Sequence, residues 1–461
     1  MRGWSLKSSQ GTDLFKRITC AITAAVVLFS LAGCDTVDEI LKNKDKKSPV
    51  TDSSDAPGTP SVSNPGAIQV IDINGDVHET SVSVIEESEN EDNASSTLPE
   101  RSLAQVAQNL SLSDDSNFAY SGLSESCRTC YREIYAILND MLEKVELSSK
   151  DPDEVDLAFR AVMVDHPEIF YVKGYSIGKF MRGSTLSKIV FSGTYTMTKD
   201  EVEAGRRDVD DYAASVIAGC PDGGDYDKIK YVYEYLIKNN EYVPDAENNQ
   251  NILSVVRGGK TVCQGYTKAM QLILNKMGIF CTLVNGKACG RNGVPDAEEL
   301  ADADNAEWGG HVWNIVKCNG MYYNIDVTWG DAVITLMSDD GTLSHDVEVN
   351  YEFFLVDDAS LIGTHDPEPV VTMPRCNSME DNYYRHEGLY FTDVDPERFY
   401  MIFESAYAAG DPYVFIKTAS PDVFIKVRDH LFRDENIFSY IGRTNVRYVE
   451  FADRNLIMIS L

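Results

Sequence analysis

Positive charge is scarce in this sequence, with 41 Lys and Arg against 73 Asp and Glu and a net charge of −32 over 461 residues. Such an excess of negative charge repels phosphate backbones, which argues against nucleic acid as a partner. Glycine and proline, at 31 and 16 residues, are not enriched, which excludes collagen-like and proline-rich architectures. With 43% hydrophobic residues most of the chain can fold, and its length predicts about two to four domains.

The start of the chain lacks a hydrophobic run long enough to span a bilayer. A basic segment ending in Lys16 and Arg17 precedes an apolar stretch over 18–32, the pattern of a signal peptide. Residues 31–34 read Leu-Ala-Gly-Cys, which resembles a bacterial lipobox. The resemblance implies lipidation of Cys34 after cleavage, and an anchored location in the cell membrane, facing outside the cytoplasm at the cell surface or in the periplasm. An ordinary signal peptide, or a short anchor with a chance cysteine, is the alternative.

No aromatic residue lies between Asp35 and Asn117, and this stretch is dense in Ser, Thr, Asp, Glu and Pro. Such a segment cannot bury enough apolar surface to offset the entropy of ordering it. We therefore predict a disordered acidic tether over 34–115. One alternating stretch, 67–84, has Asn-Gly at its centre and could form a hairpin.

Cysteines are spread too thinly for a small disulfide scaffold. The one CxxC motif, at Cys127 and Cys130, has no second pair at zinc spacing, so zinc binding is disfavoured. The two residues are better explained as small side chains of an amphipathic helix. No metal or cofactor site is predicted.

Hydrophobic periodicity indicates an α+β protein that is made of several parts. Helices are predicted over 200–218, 225–240 and 263–277, and the end of the chain reads β-α-β-β. The predicted parts are a signal peptide (1–33), the tether (34–115), an N-terminal helical α+β unit (116–221), the main domain (222–375) and a small C-terminal α/β module (376–461).

Cys263 stands at the predicted N-terminus of the helix over 263–277. Unpaired N–H groups and the helix dipole favour an anion there, so a thiolate should be stabilised and nucleophilic. Such a thiolate needs an imidazole partner, and that imidazole needs an orienting acceptor.

A hairpin further along the chain supplies both groups. Asn319-Gly320 is a two-residue turn signal between strands predicted over 311–318 and 321–329. With this turn Cys318 pairs with Met321, and alternation places His311 and Asp326 on one face as diagonal neighbours, about 7–8 Å apart along the backbone. Singly each residue is more often structural, but together they predict a catalytic triad.

Three segments around these residues resemble the transglutaminase-like superfamily: GKTVCQGY at 259–266, GHVWN at 310–314 and YNIDVTW at 323–329. The resemblance runs from about Tyr226 to Asp331, and DHPEIFYV at 165–172 is similar to a segment upstream of this domain in secreted bacterial members. It implies a papain-like fold in which the helix of the nucleophile packs on an antiparallel sheet. Carried over to this chain, the family makes Cys263 the nucleophile, His311 the general base and acid, and Asp326 the residue that orients His311.

The resemblance implies an enzyme that attacks amide bonds of proteins or peptides, cell-wall peptides among them, through a thioester that passes to water or to an amine. There is a departure from animal transglutaminases, because Gln264 rather than Trp follows the nucleophile and no Trp lies between Trp4 and Trp308. The oxyanion donor is therefore open, with the Cys263 N–H, Tyr242 and Gln264 as candidates. A catalytically silent binding or assembly module at the cell surface is the alternative function.

Overall fold

A computed structural model describes residues 117–182, 184–289, 308–331 and 349–461, and it gives the backbone of five short strands outside these ranges. The predicted signal peptide beyond its first residues, Cys34 and most of the predicted tether lie outside the described residues. Among the helices that are described, none is long and apolar enough to cross a membrane. The predicted α+β class is confirmed.

The N-terminal unit is a sheet covered by helices. Its elements are, in chain order, β2 (Ile68–Asp72), β3 (Val77–Glu79), α1 (Phe118–Ser121), α2 (Glu125–Asn139), β4 (Val145–Glu146), α3 (Pro152–Asp165), β5 (Val172–Arg182), β6 (Thr185–Tyr195) and α4 (Lys199–Ala218). The sheet order is β3-β2-β5-β6-β4. Strands β2 and β3 pair antiparallel, which confirms the hairpin predicted over 67–84.

Local capping explains where the helices of this unit begin. The Ser124 side chain accepts the N–H of Cys127 at the start of α2, and a reciprocal capping box between Thr198 and Glu201 starts α4. Cys127 and Cys130 are buried on α2. None of the eight cysteines of the described residues forms a disulfide, and Cys220 and Cys263 are the two that are partly exposed. The CxxC motif is thus packing, in agreement with its prediction.

The central unit is built on a four-stranded antiparallel sheet. Its elements are α5 (Asp225–Asn239), β7 (Glu241–Tyr242), β8 (Lys260–Thr261), α6 (Cys263–Lys276), β9 (Cys281–Cys289), β10 (Trp308–Cys318), β11 (Met321–Ile325), α7 (Val327–Gly330), β12 (Ile334–Met337), β13 (Leu343–Val347) and β14 (His365–Pro367). The sheet order is β11-β10-β9-β14.

The register of the β10–β11 hairpin is the one that its turn predicts. Asn319 and Gly320 have φ of 50° and 87°, as a type I′ turn requires, and Cys318 pairs with Met321. The prediction of a strand running to 329 is wrong, because pairing ends at Ile325. Asp326 leaves the sheet as the N-cap of α7, where its side chain accepts the backbone N–H of Trp329 at 3.1 Å.

The two faces of the sheet belong to different cores. Val312 and Val316 of β10 pack in the large cluster that contains the apolar stripe of α6. Trp313 and Ile315, which alternate with them, pack on the other face with Phe353 and its neighbours. The sheet is therefore buried on both sides, with α6 covering one of them.

The C-terminal module has its own hydrophobic core. Its elements are β1 (Arg2–Lys7), α8 (Tyr383–His386), β15 (Tyr390–Phe391), α9 (Pro396–Ala409), β16 (Tyr413–Thr418), α10 (Pro421–Arg428), α11 (Ile437–Ile441), β17 (Asn445–Phe451) and β18 (Leu456–Ser460). The sheet order is β1-β17-β18-β16-β15. The predicted β-α-β-β order is confirmed by β16, α10, β17 and β18.

Candidate active site

His311 and Asp326 form a buried pair at the end of the hairpin. Nε2 of His311 lies 2.7 Å from Oδ2 of Asp326, and the two residues are 7% and 1% exposed. The strand β10 carries the ring, and the N-cap position of α7 carries the carboxylate. The contact that the hairpin register predicts is therefore present, although Asp326 reaches it from a helix start and not from a strand.

Cys263 is the first residue of α6, as predicted, and it is partly exposed. The preceding N-cap residue, Val262, has no side-chain acceptor, so no side chain caps the first N–H groups of this helix. Gly265 lies in the same turn, where a Cβ would clash with Oγ1 of Thr261 and lie 2.7 Å from Oγ of Ser254. A glycine is thus required for the close approach of the helix start to the preceding segment.

Hydrogen bonds fix α6 against the strand of His311. The hydroxyl of Thr267, one turn after Cys263, donates to the carbonyl oxygen of Val312 at 3.2 Å. The side-chain amide of Asn314 donates to the carbonyl oxygen of Thr267 at 3.1 Å. Both side chains are buried, at 2% and 0% exposure. The helix of the cysteine and the strand of the histidine are therefore held in one register.

The electrostatics favour a charged His311. Burial lowers the pKa of His311, but the Asp326 carboxylate raises it, interactions with Cys263 raise it further, and the result is a pKa of about 10. Burial raises the pKa of Asp326, but His311 and then His365 outweigh it and hold that pKa well below its usual range. Because Nε2 of His311 is bonded to Asp326, Nδ1 is the ring nitrogen left for the Cys263 thiol.

A second histidine, His365, which no sequence pattern predicts, joins the pair. Nε2 of His365, on β14, lies 3.0 Å from the same Oδ2 of Asp326, and the His365 side chain is fully buried. The two residues are 39 positions apart and His365 belongs to a three-residue strand, so no periodicity or turn signal links them.

His311, Asp326 and His365 are the one group in the described residues that could hold a metal ion, since their ligand atoms lie within 4.8 Å of one another. Two imidazoles and a carboxylate are a plausible donor set for Zn²⁺ or Fe²⁺. The same atoms are, however, already paired by hydrogen bonds at 2.7 and 3.0 Å. The hydrogen-bonded arrangement therefore satisfies every one of these donors and acceptors without an ion.

The residues considered as oxyanion donors have different surroundings. Tyr242 is partly buried against the main core, and its backbone N–H bonds to the Asp331 carboxylate. Burial raises the pKa of Asp331 to about 6, against the hydrogen bonds from Tyr266 and from Tyr242. The N–H of Cys263 belongs to the first turn of α6, which has no side-chain cap.

The segment over 165–172 forms a hydrogen-bonded network with α1 and α2. Asp165 accepts the backbone N–H groups of Ala119 and Tyr120 at 2.8 and 2.9 Å, which ties α1 to α3. His166, at the C-cap of α3, lies 2.8 Å from Glu168 through Nδ1. These contacts give the segment a structural explanation.

Comparison with known proteins gives a family match for the domain that holds these residues. Residues 210–327 match the family model of the transglutaminase-like superfamily. Kyphoscoliosis peptidase of Mus musculus is 22% identical over 149 residues, which are 31% of this chain and 21% of that protein. The chain thus spans about a fifth of the length of this curated relative.

Two solved structures are also similar to parts of the chain. A crystal structure of a TGase is 16% identical, with a TM-score of 0.22, and covers 34% of this chain and 44% of that one. A candidate cysteine protease from Cytophaga hutchinsonii is 10% identical, with a TM-score of 0.21, and covers 45% of this chain and 79% of that one. The family match carries the assignment: the chain contains a transglutaminase-like domain at residues 210–327.

Proposed function

We propose that this protein is a cysteine enzyme that acts on amide bonds of proteins or peptides, with Cys263 as nucleophile, His311 as general base and acid, and Asp326 as the orienting residue. The observation that carries the proposal is the buried 2.7 Å contact between His311 and Asp326, with Cys263 as a further interaction partner of the same ring. A Cys, a His and an Asp linked in this order provide an activated thiolate and a proton donor.

In the first half of the reaction, the Cys263 thiolate attacks the amide carbonyl carbon and the C=O electron pair moves onto oxygen. The C–N bond then breaks, and His311 gives its proton to the departing amine, leaving a thioester on Sγ. Asp326 stabilises the imidazolium before this transfer, because its carboxylate is bonded to Nε2. The raised pKa of His311, about 10, keeps the ring protonated at neutral pH until the amine takes the proton.

The first turn of α6 would stabilise the oxyanion that forms in this step. Helices α2 and α9 begin with side-chain N-caps, Ser124 and Asp395, whereas the N-cap of α6 has no such hydrogen bond. Its N–H groups and the positive end of its dipole are therefore available where charge develops on the substrate oxygen. We assign the backbone N–H of Cys263 as the donor.

In the second half, a nucleophile adds to the thioester and expels the Cys263 thiolate, while His311 takes the nucleophile's proton. Water as the nucleophile gives a peptidase or amidase, and a lysine amine gives a crosslinking enzyme. Both outcomes use the same residues, so they differ only in which molecule reaches the thioester.

An extended peptide is the substrate form that suits the approach to His311. Residues 308–310 of β10 are exposed, and among the described strands they pair only with β9, because β11 begins to pair at Asn314. No described atom lies within 4 Å of the position that a Cβ would take at Gly309 or Gly310. A peptide backbone can therefore approach this strand edge closely, next to His311.

The location belongs to the proposal as well. Residues 31–34 would direct lipidation of Cys34, which would anchor the protein in the cell membrane facing outside the cytoplasm. Expression in a bacterium fed a radiolabelled or clickable fatty acid tests this directly. Label on the wild type and none on Cys34→Ser is expected, and label that survives in Cys34→Ser would refute the anchor.

The activity is tested with an unfolded protein such as casein and a fluorescent primary amine. Covalent incorporation of the amine reports acyl transfer, and new peptide N-termini or released ammonia report hydrolysis. Cys263→Ala and His311→Ala should abolish either product. Cys220→Ala is the matched control, because Cys220 is another unpaired and partly exposed cysteine. Absence of all products in the wild type, with retained binding of the substrate, would favour the silent binding module.

A further inference from the structure

His365 completes the set of donors around the Asp326 carboxylate. Oδ2 of Asp326 is contacted by Nε2 of His311 at 2.7 Å and by Nε2 of His365 at 3.0 Å. Oδ1 accepts the backbone N–H of Trp329 at 3.1 Å. The carboxylate is therefore held from three directions, and His365 is the one donor that comes from outside the hairpin and its following turn.

The ring of His365 has little freedom to move. Its centroid lies 4.7 Å from the ring of Trp329, 5.0 Å from Trp313 and 5.3 Å from Phe353. Its backbone pairs with Ala288 on β9, so the strand as well as the side chain is fixed. A donor held this way keeps its direction toward Asp326 without further cost in side-chain entropy.

Hydrogen bonding on the other side of the ring allows a neutral His365. Nδ1 lies 2.9 Å from Oγ1 of Thr364. The Thr364 hydroxyl also lies 3.0 Å from the carbonyl oxygen of Leu361, which receives the backbone N–H of Thr364 as well. The ionised Asp326 carboxylate only accepts hydrogen bonds, so the ring proton that faces it sits on Nε2 of His365. Burial lowers the pKa of His365, which favours the neutral ring with Nδ1 unprotonated.

We propose that His365 is a positioning residue that fixes the Asp326 carboxylate for His311 by donating its Nε2–H to Oδ2. This inference rests on the proposed function, because it gives His311 a catalytic role. A neutral donor orients the carboxylate without adding a second cation, so the negative charge stays available to the His311 imidazolium. Without that donor, the Trp329 N–H alone opposes rotation of the carboxylate away from His311, and even a small misplacement weakens a catalytic hydrogen bond.

The test uses the full-length chain labelled with ¹⁵N in histidine. The wild type should give two far-downfield Nε2–H resonances, from His311 and from His365. His365→Leu should remove the His365 resonance and broaden the His311 resonance. His365→Gln, which can place an amide N–H near the position of Nε2, should keep the His311 resonance sharp. Should the Leu variant not fold, His365→Asn replaces it, since its amide is one methylene shorter and falls short of Oδ2.

Alkylation of Cys263 by iodoacetamide at neutral pH is the second measurement. We expect it to be about tenfold slower in His365→Leu than in the wild type, and to recover in His365→Gln. His166→Leu is the matched control, because it also removes a buried histidine that contacts a carboxylate, and the hydrogen-bond partners of His166 are Asn117, Tyr131 and Glu168. It should leave the alkylation rate unchanged.

The outcomes separate this inference from the proposed function. A sharp His311 resonance and an unchanged alkylation rate in His365→Leu would overturn the positioning role and leave the enzyme intact. Two downfield resonances with the expected response, but no selective alkylation of wild-type Cys263, would refute the proposed function alone. Copurified zinc together with the loss of both resonances would also overturn the inference, because the Nε2 atoms would then bind a metal.

Discussion

Thr267 of α6 donates its hydroxyl hydrogen bond to the carbonyl oxygen of Val312, the residue that follows His311 on β10, at 3.2 Å. The contact is buried and joins the two elements that carry the cysteine and the histidine. The distance between Sγ of Cys263 and the imidazole of His311 therefore depends on a contact that touches neither side chain.

Replacing Thr267 by Val should weaken this connection. The Val312 carbonyl would lose a buried partner, so we expect a loss of about 1 kcal/mol in the free energy of unfolding and slower alkylation of Cys263. Thr282→Val is the matched control, because the Thr282 hydroxyl is buried and has no hydrogen-bond partner. Chemical denaturation and alkylation rates of both variants check the prediction, which fails if the two variants behave alike.

Replacing Asp326 by Asn should lower the pKa of His311 from about 10 to below its ordinary value of about 6.5. Without the carboxylate, burial dominates and favours the neutral ring. The ring would then be uncharged at neutral pH, and kcat should fall by about 10²- to 10⁴-fold. Histidine NMR titration, with His311→Gln to assign the signal, measures the shift. A midpoint that stays near 10 in Asp326→Asn would show that the carboxylate is not its cause.

The same raised pKa predicts how stability depends on pH. His311 gains its partner on folding, so its stabilisation is complete below about pH 6.5 and is lost as the pH rises through about 10. The free energy of unfolding of the wild type should therefore fall over this alkaline range more steeply than that of His311→Gln. If urea denaturation shows that the free energies of unfolding of the two proteins depend equally on pH, His311 is not the source of the alkaline loss of stability.

Replacing Gly265 by Ala should disturb the start of α6. The added Cβ would clash with Oγ1 of Thr261 and crowd Ser254, so the first turn must shift. We expect a loss of about 1–3 kcal/mol in stability and slower alkylation of Cys263. Gly258→Ala is the control, since no atom lies within 4 Å of the position of its Cβ. Thermal unfolding of both variants is the measurement, and equal losses would contradict the steric argument.

Replacing Gly310 by Val should weaken the binding of a peptide substrate and leave the reactivity of the Cys263 thiol unchanged. The site has room for the side chain in the protein alone, but a valine there would stand where a peptide backbone approaches β10. KM for a peptide substrate should rise, whereas the alkylation rate by the small reagent iodoacetamide should not change. An unchanged KM would place the peptide elsewhere.

The sequence predicts the core of the site because its signals are local. The Asn319-Gly320 turn sets the register of β10 and β11, and hydrophobic spacing places Cys263 at a helix start; both are confirmed. Asp326 was expected on a strand, but its side chain favours an N-cap, and this competing preference ends β11 at Ile325.

Other parts of the site have no local signal. His365 lies on the three-residue strand β14, and it reaches Asp326 only because β14 pairs with β9. No hydrophobic periodicity predicts this tertiary contact. The pairing of Thr267 with Val312 is of the same kind, because it depends on how a helix docks on a sheet. Contacts of this type become visible only once the chain is folded.

Site-resolved alkylation by iodoacetamide measures whether Cys263 is an activated nucleophile. Labelling of the full-length chain is followed by mass spectrometry between about pH 5 and pH 9, with Cys220 of the same molecule as the internal reference. At about pH 6 we expect Cys263 to be labelled at least about tenfold faster than Cys220, and we expect His311→Ala to abolish this difference. Labelling of Cys263 that follows Cys220 across the whole range, with no effect of His311→Ala, would show that Cys263 is not an activated nucleophile.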